Sequence, residues 1–188
     1  MATRALEFAI LTAARSGEVR SATWSEIDLK ARMWTIPAEK MKAGKAHRVP
    51  LSNAAVALLE ALPRLSEQVF PAPRGGQLSE AALGAVVKRM HEAEVKAGRG
   101  GYPDPIDGRV AVPHGFRSSF KDWCRNNTTA ADEVSELALA HVNSDATRAA
   151  YARDGLLPQR ARLMTQWAKY CADKPKPASV SPIREGHA

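Results

Sequence analysis

The sequence predicts a mostly helical chain with one small antiparallel β-sheet, an α+β arrangement. Three observations carry this. Apolar residues recur at helical spacing in several separate stretches, as in Leu83, Val86, Val87 and Met90. Two short β-like runs, Met33–Pro37 and Ala46–Leu51, flank a glycine-containing turn. Pro and Gly punctuate the chain between these stretches instead of filling them. At 188 residues, one globular domain with a proper core is the expectation.

Residues 3–14 read as a helix with Leu6, Ile10 and Ala13 on its buried face, broken at Arg15-Ser16-Gly17 because Gly is the usual helix stop. Glu18 to Trp24 reads as a short second helix, which leaves Arg15 in the turn between the two. The two β-like runs form a hairpin with Lys40-Met-Lys-Ala-Gly-Lys45 at its tip, so its lysines project outward. Ser52 caps a helix that runs to Leu62 and stops at Pro63. Val69-Phe70-Pro71 is a candidate strand. Ser79 is placed to cap the next helix, with Leu78 stapled onto Leu83, Met90 completing the buried stripe and Gly98 as the stop. Arg99 to Pro113 is a Gly-, Pro- and Asp-rich loop, long enough to suggest function or mobility.

From His114, the residues Phe116, Phe120, Trp123 and Cys124 mark a helix whose first turn puts His114 and Arg117 on one face. Thr129 and Asp132 suit a capping box. Val134, Leu137, Ala138 and His141 fall at i, i+3, i+4 and i+7, so His141 ends an apolar face. Ala146 to Arg153 forms a short helix carrying Tyr151, between Asn143-Ser144-Asp145 and Gly155. Leu157, Ala161, Met164, Trp167 and Cys171 mark the last helix, and residues 173–188, with Pro175, Pro177 and Pro182, read as a flexible tail.

Charge narrows the function classes. The net charge is +7, and the segment Lys30–Pro50 holds six basic residues against Glu39 alone, so most of the excess sits in one place. Such a patch suits a phosphate backbone. No apolar run approaches the ~20 residues of a membrane span, and the first residues lack the form of a signal peptide. The two cysteines, Cys124 and Cys171, read as buried free thiols of a reducing cytoplasm. With no CxxC and no HExxH, neither a metal site nor a cofactor is expected. By position alone, Arg15 is an isolated surface arginine, the hairpin lysines form a solvated basic turn, and His141 is a core histidine.

Taken together, the pieces resemble the catalytic domain of tyrosine recombinases, the phage-type integrases, most closely those of prophages and genomic islands. Residues 13–24 (Ala-Ala-Arg-Ser-Gly-Glu-Val-Arg-Ser-Ala-Thr-Trp) match the first-arginine motif. Lys42-Ala-Gly-Lys-Ala-His-Arg-Val-Pro50-Leu-Ser resembles the lysine hairpin, whose active lysine commonly stands eight residues before that proline, favouring Lys42 over Lys40 and Lys45. His114-Gly-Phe-Arg117 resembles the His-x-x-Arg motif, and Leu139-Ala-His141 with Tyr151 the closing motif. The resemblance covers residues 1–172.

It implies the DNA breaking–rejoining catalytic-domain fold and the roles that follow. Arg15 and Arg117 clamp the non-bridging phosphate oxygens, Tyr151 is the nucleophile and His114 its base. Lys42 is the general acid, His141 a hydrogen-bond donor to the phosphate, and Glu18 supports the first-arginine turn. Lys40, Lys45, Arg48, Lys121 and Arg148 are the expected contacts to DNA. Double-stranded DNA is the implied partner, with a tetramer on DNA in full-length relatives, accessory DNA-bending proteins, a monomeric state for this chain alone and a cytoplasmic setting. Relatives normally carry N-terminal DNA-binding domains, so the reading here is of a catalytic-domain fragment. Two competing readings remain: a non-catalytic DNA-binding module or remnant with the same fold, and a type IB topoisomerase.

Overall fold

The computed structural model describes residues 1–105, 107–141 and 155–173. Helix α1 (Ala2–Thr12) lies at the centre and packs against α2 (Ser16–Arg20), α3 (Asn53–Glu60), α4 (Ala82–Lys96) and the last helix, α7 (Leu157–Ala172). With neighbours on several sides it buries more than one stripe: Ala5, Leu6, Phe8, Ala9, Leu11 and Thr12. Phe8 meets Trp34 and Phe70 with ring centroids 5.3 and 5.5 Å apart.

The sheet has three antiparallel strands in the order β1-β2-β3: Ile27–Asp28, Met33–Ile36 and His47–Pro50. Trp34 pairs with Val49 and Ile36 with His47. Trp34 and Ile36 are fully buried while Thr35 is exposed, which is the two-residue alternation of a half-buried strand. The two residues of β1 are too few to leave a periodic signal, and β1 was not expected. Between β2 and β3 the chain makes a 3₁₀ turn at Ala38–Lys40, then turns at Gly44 with φ 62°.

A second apolar cluster joins α5 (Gly115–Asn127), α6 (Asp132–Ala138) and α7. Phe120, Trp123 and Trp167 form its centre, with Phe120 and Trp167 edge to face at 5.4 Å. The clusters meet at the C-terminal end of α1. The last carbonyls of a helix have no partner within it, and here the second cluster supplies them. Trp167 Nε1 donates to Ile10 O at 2.7 Å, and Arg117 Nη1 donates to Ala13 O.

Several local expectations are corrected. Helix α1 ends at Ala13, which adopts the left-handed conformation with φ 51° at a cost of roughly 1–2 kcal/mol. Gly17 lies inside α2 instead of stopping α1, because Glu18 reaches back to Arg15 N at 2.9 Å and lets the new helix start at Ser16. That helix ends at Arg20, and Trp24–Glu26 is a separate 3₁₀ turn. Ser52 does cap α3, accepting from Ala55 N. Helix α4 starts at Ala82 with Ala81, not Ser79, at the cap position, and its Met90 is exposed. Val69-Phe70-Pro71 makes single bridges at its edges, Thr23 with Gln68 and Pro71 with Gln77, rather than a strand. Thr129 forms no capping box; α6 begins after Ala131 and its Asp132 carboxylate turns to Lys121. On α7 the buried stripe is Arg160, Leu163, Met164, Trp167 and Ala168, so Ala161 and Cys171 face solvent; Cys124 is buried. The Tyr151 helix and the tail after Asp173 lie outside the described residues.

Candidate active site

The seam between the two clusters gathers the site. Arg15 is the residue just before α2, its side chain 30% exposed. Glu18, nearly buried, holds it twice: one carboxylate oxygen accepts from Arg15 N, and the other lies 2.8 Å from Arg15 Nη1. The turn therefore fixes both the backbone and the guanidinium of Arg15.

Arg117 stands one turn into α5 and is buried. Its partners are carbonyls: Ala13 O for Nη1 and Leu139 O, at 2.7 Å, for Nη2. Among the described residues no carboxylate is bonded to it. Burial lowers its pKa to about 10, and the neighbouring charge of Arg15 adds to this while Glu18 opposes it. It remains protonated at neutral pH. Among the described residues this buried cation has hydrogen-bond partners that are neutral and only the more distant charge of Glu18 to favour it, which is costly, and an incoming anion would relieve that cost.

His114 caps α5 and is exposed. His141 follows Ala140, whose φ of 51° ends α6 and turns the chain, so His141 leaves the apolar face on which its spacing put it. Its Nε2 lies 3.4 Å from Arg117 Nη2 and its Nδ1 lies 2.7 Å from Glu136 Oε2. His114, Arg117 and His141 line one open cleft together with Ser118 and Asp122.

On the hairpin, Lys42, Lys45 and Arg48 are exposed. Lys40 is not. It folds inward to an ion pair with Glu26 and donates to Ser21 O at 2.6 Å, while Glu26 also accepts from Trp34 Nε1 at 3.0 Å. Lys121 is corrected likewise. It lines the same cleft but is buried between α5 and α6, 2.7 Å from Asp132 Oδ1 and 2.5 Å from Glu136 Oε1, so its charge is already paired within the protein. Tyr151 and Arg148 lie outside the described residues.

Two residues were missed. Arg160 of α7 is buried and donates to Arg48 O at 2.6 Å and, at 3.4 Å, to Gly155 O and His47 Nε2. Burial lowers its pKa to about 10, helped by the charge of Arg48. His47 beside it is pushed down to about 4, first by burial and then by the charge of Arg160, with Arg15 and Arg117 adding and a hydrogen bond to Ala138 opposing. The signal was present, since Arg160 opens the stripe Leu163, Met164, Trp167 at i, i+3, i+4 and i+7, where a cation needs a reason. Among the described residues, no group of three or more His, Cys, Asp or Glu is placed to hold a metal ion, and no helix is long and apolar enough to cross a membrane.

Known proteins agree with this architecture. Residues 2–155 match the phage integrase family. The chain is 38% identical over 178 residues to the prophage integrase IntA of Escherichia coli (strain K12), covering 89% of this chain and 38% of that protein. To the integrase of Shigella phage Sf6 it is 29% identical over 180 residues, covering 93% of this chain and 42% of that one, so it spans about two-fifths of these relatives. The integrase from mycobacterium phage Brujita has the same fold, with a TM-score of 0.62 at 19% identity over 88% of this chain and 51% of that one. With the match running from α1 to Gly155, the chain belongs to the phage integrase family.

Proposed function

We propose that residues 1–172 form a catalytic domain that breaks and rejoins DNA strands through a 3′-phosphotyrosyl intermediate, in the service of site-specific recombination or integration. The observation that carries this reading is Arg117: a buried guanidinium with carbonyl partners, beside Arg15 and in one cleft with two histidines. Such a group binds an anion. Two arginines that stay charged can hold the non-bridging oxygens of a phosphodiester as negative charge develops on them.

The chemistry needs no metal or nucleotide. The Tyr151 hydroxyl oxygen attacks phosphorus and the bond to the 5′-oxygen breaks. A phenol has an ordinary pKa of about 10 and is a poor nucleophile until its proton leaves. His114, exposed at the start of α5, is the base that takes it. The departing 5′-oxygen takes a proton from Lys42, exposed on the hairpin. His141 donates to a non-bridging oxygen, a contact of a type worth ~10²–10³ in rate. A 5′-hydroxyl of the partner strand then reverses the sequence, restoring the phosphodiester and releasing Tyr151.

The partner in this reading is double-stranded DNA in the bacterial cytoplasm, engaged by Lys45 and Arg48 as well as the site. The solved structure of the Tn1549 transposon integrase, which shares the fold at a TM-score of 0.52, is a complex with circular intermediate DNA. Assembly as a tetramer on DNA with accessory DNA-bending proteins belongs to the same reading, as does Arg148 as a DNA contact.

The test incubates the chain with a pool of nicked duplexes of randomised sequence and looks for a covalent adduct that resists denaturant. The expected result is an adduct in a subset of sequences, lost in Tyr151→Phe. An adduct that survives Tyr151→Phe would overturn the nucleophile. Salt-sensitive binding without any adduct would mark a non-catalytic DNA-binding module, and relaxation of supercoiled plasmid lacking a specific site would mark a topoisomerase.

A further inference from the structure

The surroundings of His141 constrain its protons. A guanidinium has donors only, so Nε2, 3.4 Å from Arg117 Nη2, presents its lone pair there. Nδ1, 2.7 Å from Glu136 Oε2, faces an acceptor and carries the proton. One neutral tautomer satisfies both contacts. The carboxylate is itself fixed. Its other oxygen lies 2.5 Å from Lys121 Nζ, which also donates to Asp132 and Ser135, both at 2.7 Å. Asp132, Ser135 and Glu136 stand at i, i+3 and i+4 on α6 and close around an ammonium delivered by α5. Burial works against the charge of Glu136, yet hydrogen bonds from Lys121 and His141 outweigh it and hold the carboxyl below its ordinary range. Burial also opposes the charge of Lys121, and Asp132 and Glu136 outweigh it in turn.

We propose that Glu136, held by Lys121, is a positioning residue for His141: it keeps the proton on Nδ1 and aims Nε2 at the place beside Arg117 where a phosphate oxygen arrives. A consequence follows for binding. A phosphate oxygen is an acceptor, so Nε2 must become a donor to bond it. With Nδ1 already protonated, that requires one proton from solvent water and yields an imidazolium, whose charge Glu136 faces. Among the described residues, the charged and titratable groups around the ring are Arg117, Lys121, His114 and Asp122 from α5 and its cap, and Glu136 and Asp132 from α6. This proton uptake rests on the phosphoryl-transfer reading above; the tautomer does not.

The test is nitrogen NMR of the chain labelled at histidine, with inorganic phosphate as the probe. The expected wild-type signal for His141 is the tautomer protonated at Nδ1, converting to imidazolium as phosphate is added. Glu136→Ala should lose that preference. Glu136→Gln, whose amide oxygen still accepts from Nδ1, should keep the tautomer but convert less on phosphate addition. In the adduct assay Glu136→Ala should slow the rate about 10–100-fold, the range for outer carboxylates that orient metal-bound histidines. Lys121→Met, which frees Glu136 without touching His141, should lower the rate in the same direction. A wild-type ring protonated at Nε2, or a tautomer unmoved in Glu136→Ala, overturns the proposal. If wild type forms no adduct, the phosphoryl-transfer reading fails by itself, while the tautomer signals still decide the role of Glu136.

Discussion

The two apolar clusters differ in what they bury. The first, built on α1, the sheet, α3 and α4, is filled mainly by Leu, Ile, Val, Ala and Phe. The second is poorer in aliphatics and richer in tryptophan, and the buried cations Arg117, Lys121 and Arg160 stand on its helices. Lys121 is balanced by two carboxylates, whereas Arg117 and Arg160 rest on carbonyls. The first cluster is therefore organised for stability. The second gives up some stability to hold positive charge in fixed directions, and the candidate site lies where it meets the first.

The sharpest way to probe that difference is Arg117→Met. Adduct formation should fall by ~10³–10⁵, as measured on the nicked duplex pool. The thermal midpoint should stay near wild type, because relief of an uncompensated charge offsets the lost carbonyl bonds. A large drop in the midpoint would show that Arg117 serves stability after all. Next in size, Trp167→Ala should cost about 3–5 kcal/mol in urea unfolding, since it empties the second cluster and removes the bond to Ile10. One transition by both tryptophan fluorescence and circular dichroism would show that the clusters unfold together; two would separate them.

Acid should weaken the seam. The His47 imidazole is held near 4 against an ordinary value of 6.5. Between these values the unfolded chain binds a proton that the folded chain refuses, so stability falls as pH drops from about 6.5 to about 4. The loss approaches about 3 kcal/mol. Urea midpoints taken across that window should decline in wild type and flatten in His47→Gln. The smallest effect separates two lysines of one hairpin. Lys45→Ala should reduce the salt slope of DNA binding by about 1. Lys40→Ala should leave the slope unchanged and lower stability, because its charge belongs to Glu26.

Much of the frame was legible. Phe120, Trp123 and Cys124, or Trp34 and Ile36, announce their elements through spacing, since burial imposes the period. The motifs located Arg15, His114, Arg117 and His141, three of which line or adjoin one cleft. What could not be read is where long side chains turn. Lys121 is four residues after Arg117 and shares its face, so charge type alone does not tell a phosphate contact from a buried ion pair. Its partners Asp132 and Glu136 lie on another helix, as Glu26 does for Lys40. Ala13 defeats the rule that glycine stops helices because tertiary bonds to its carbonyl and neighbours hold it in place.

The loop from Arg99 to Pro113 has a further meaning once the clusters are compared. It connects α4 of one cluster to α5 of the other, its described residues are mostly exposed, and an isolated bridge joins Pro103 and Val110 across it. The clusters are joined elsewhere, through α7 against α1, α3 and β3. A chain cut in this loop would stay together as a nicked particle. Expressed as two pieces, it would rebuild the seam, Arg117 and all, only when both are present. That makes the loop the natural place to split this protein for conditional reassembly.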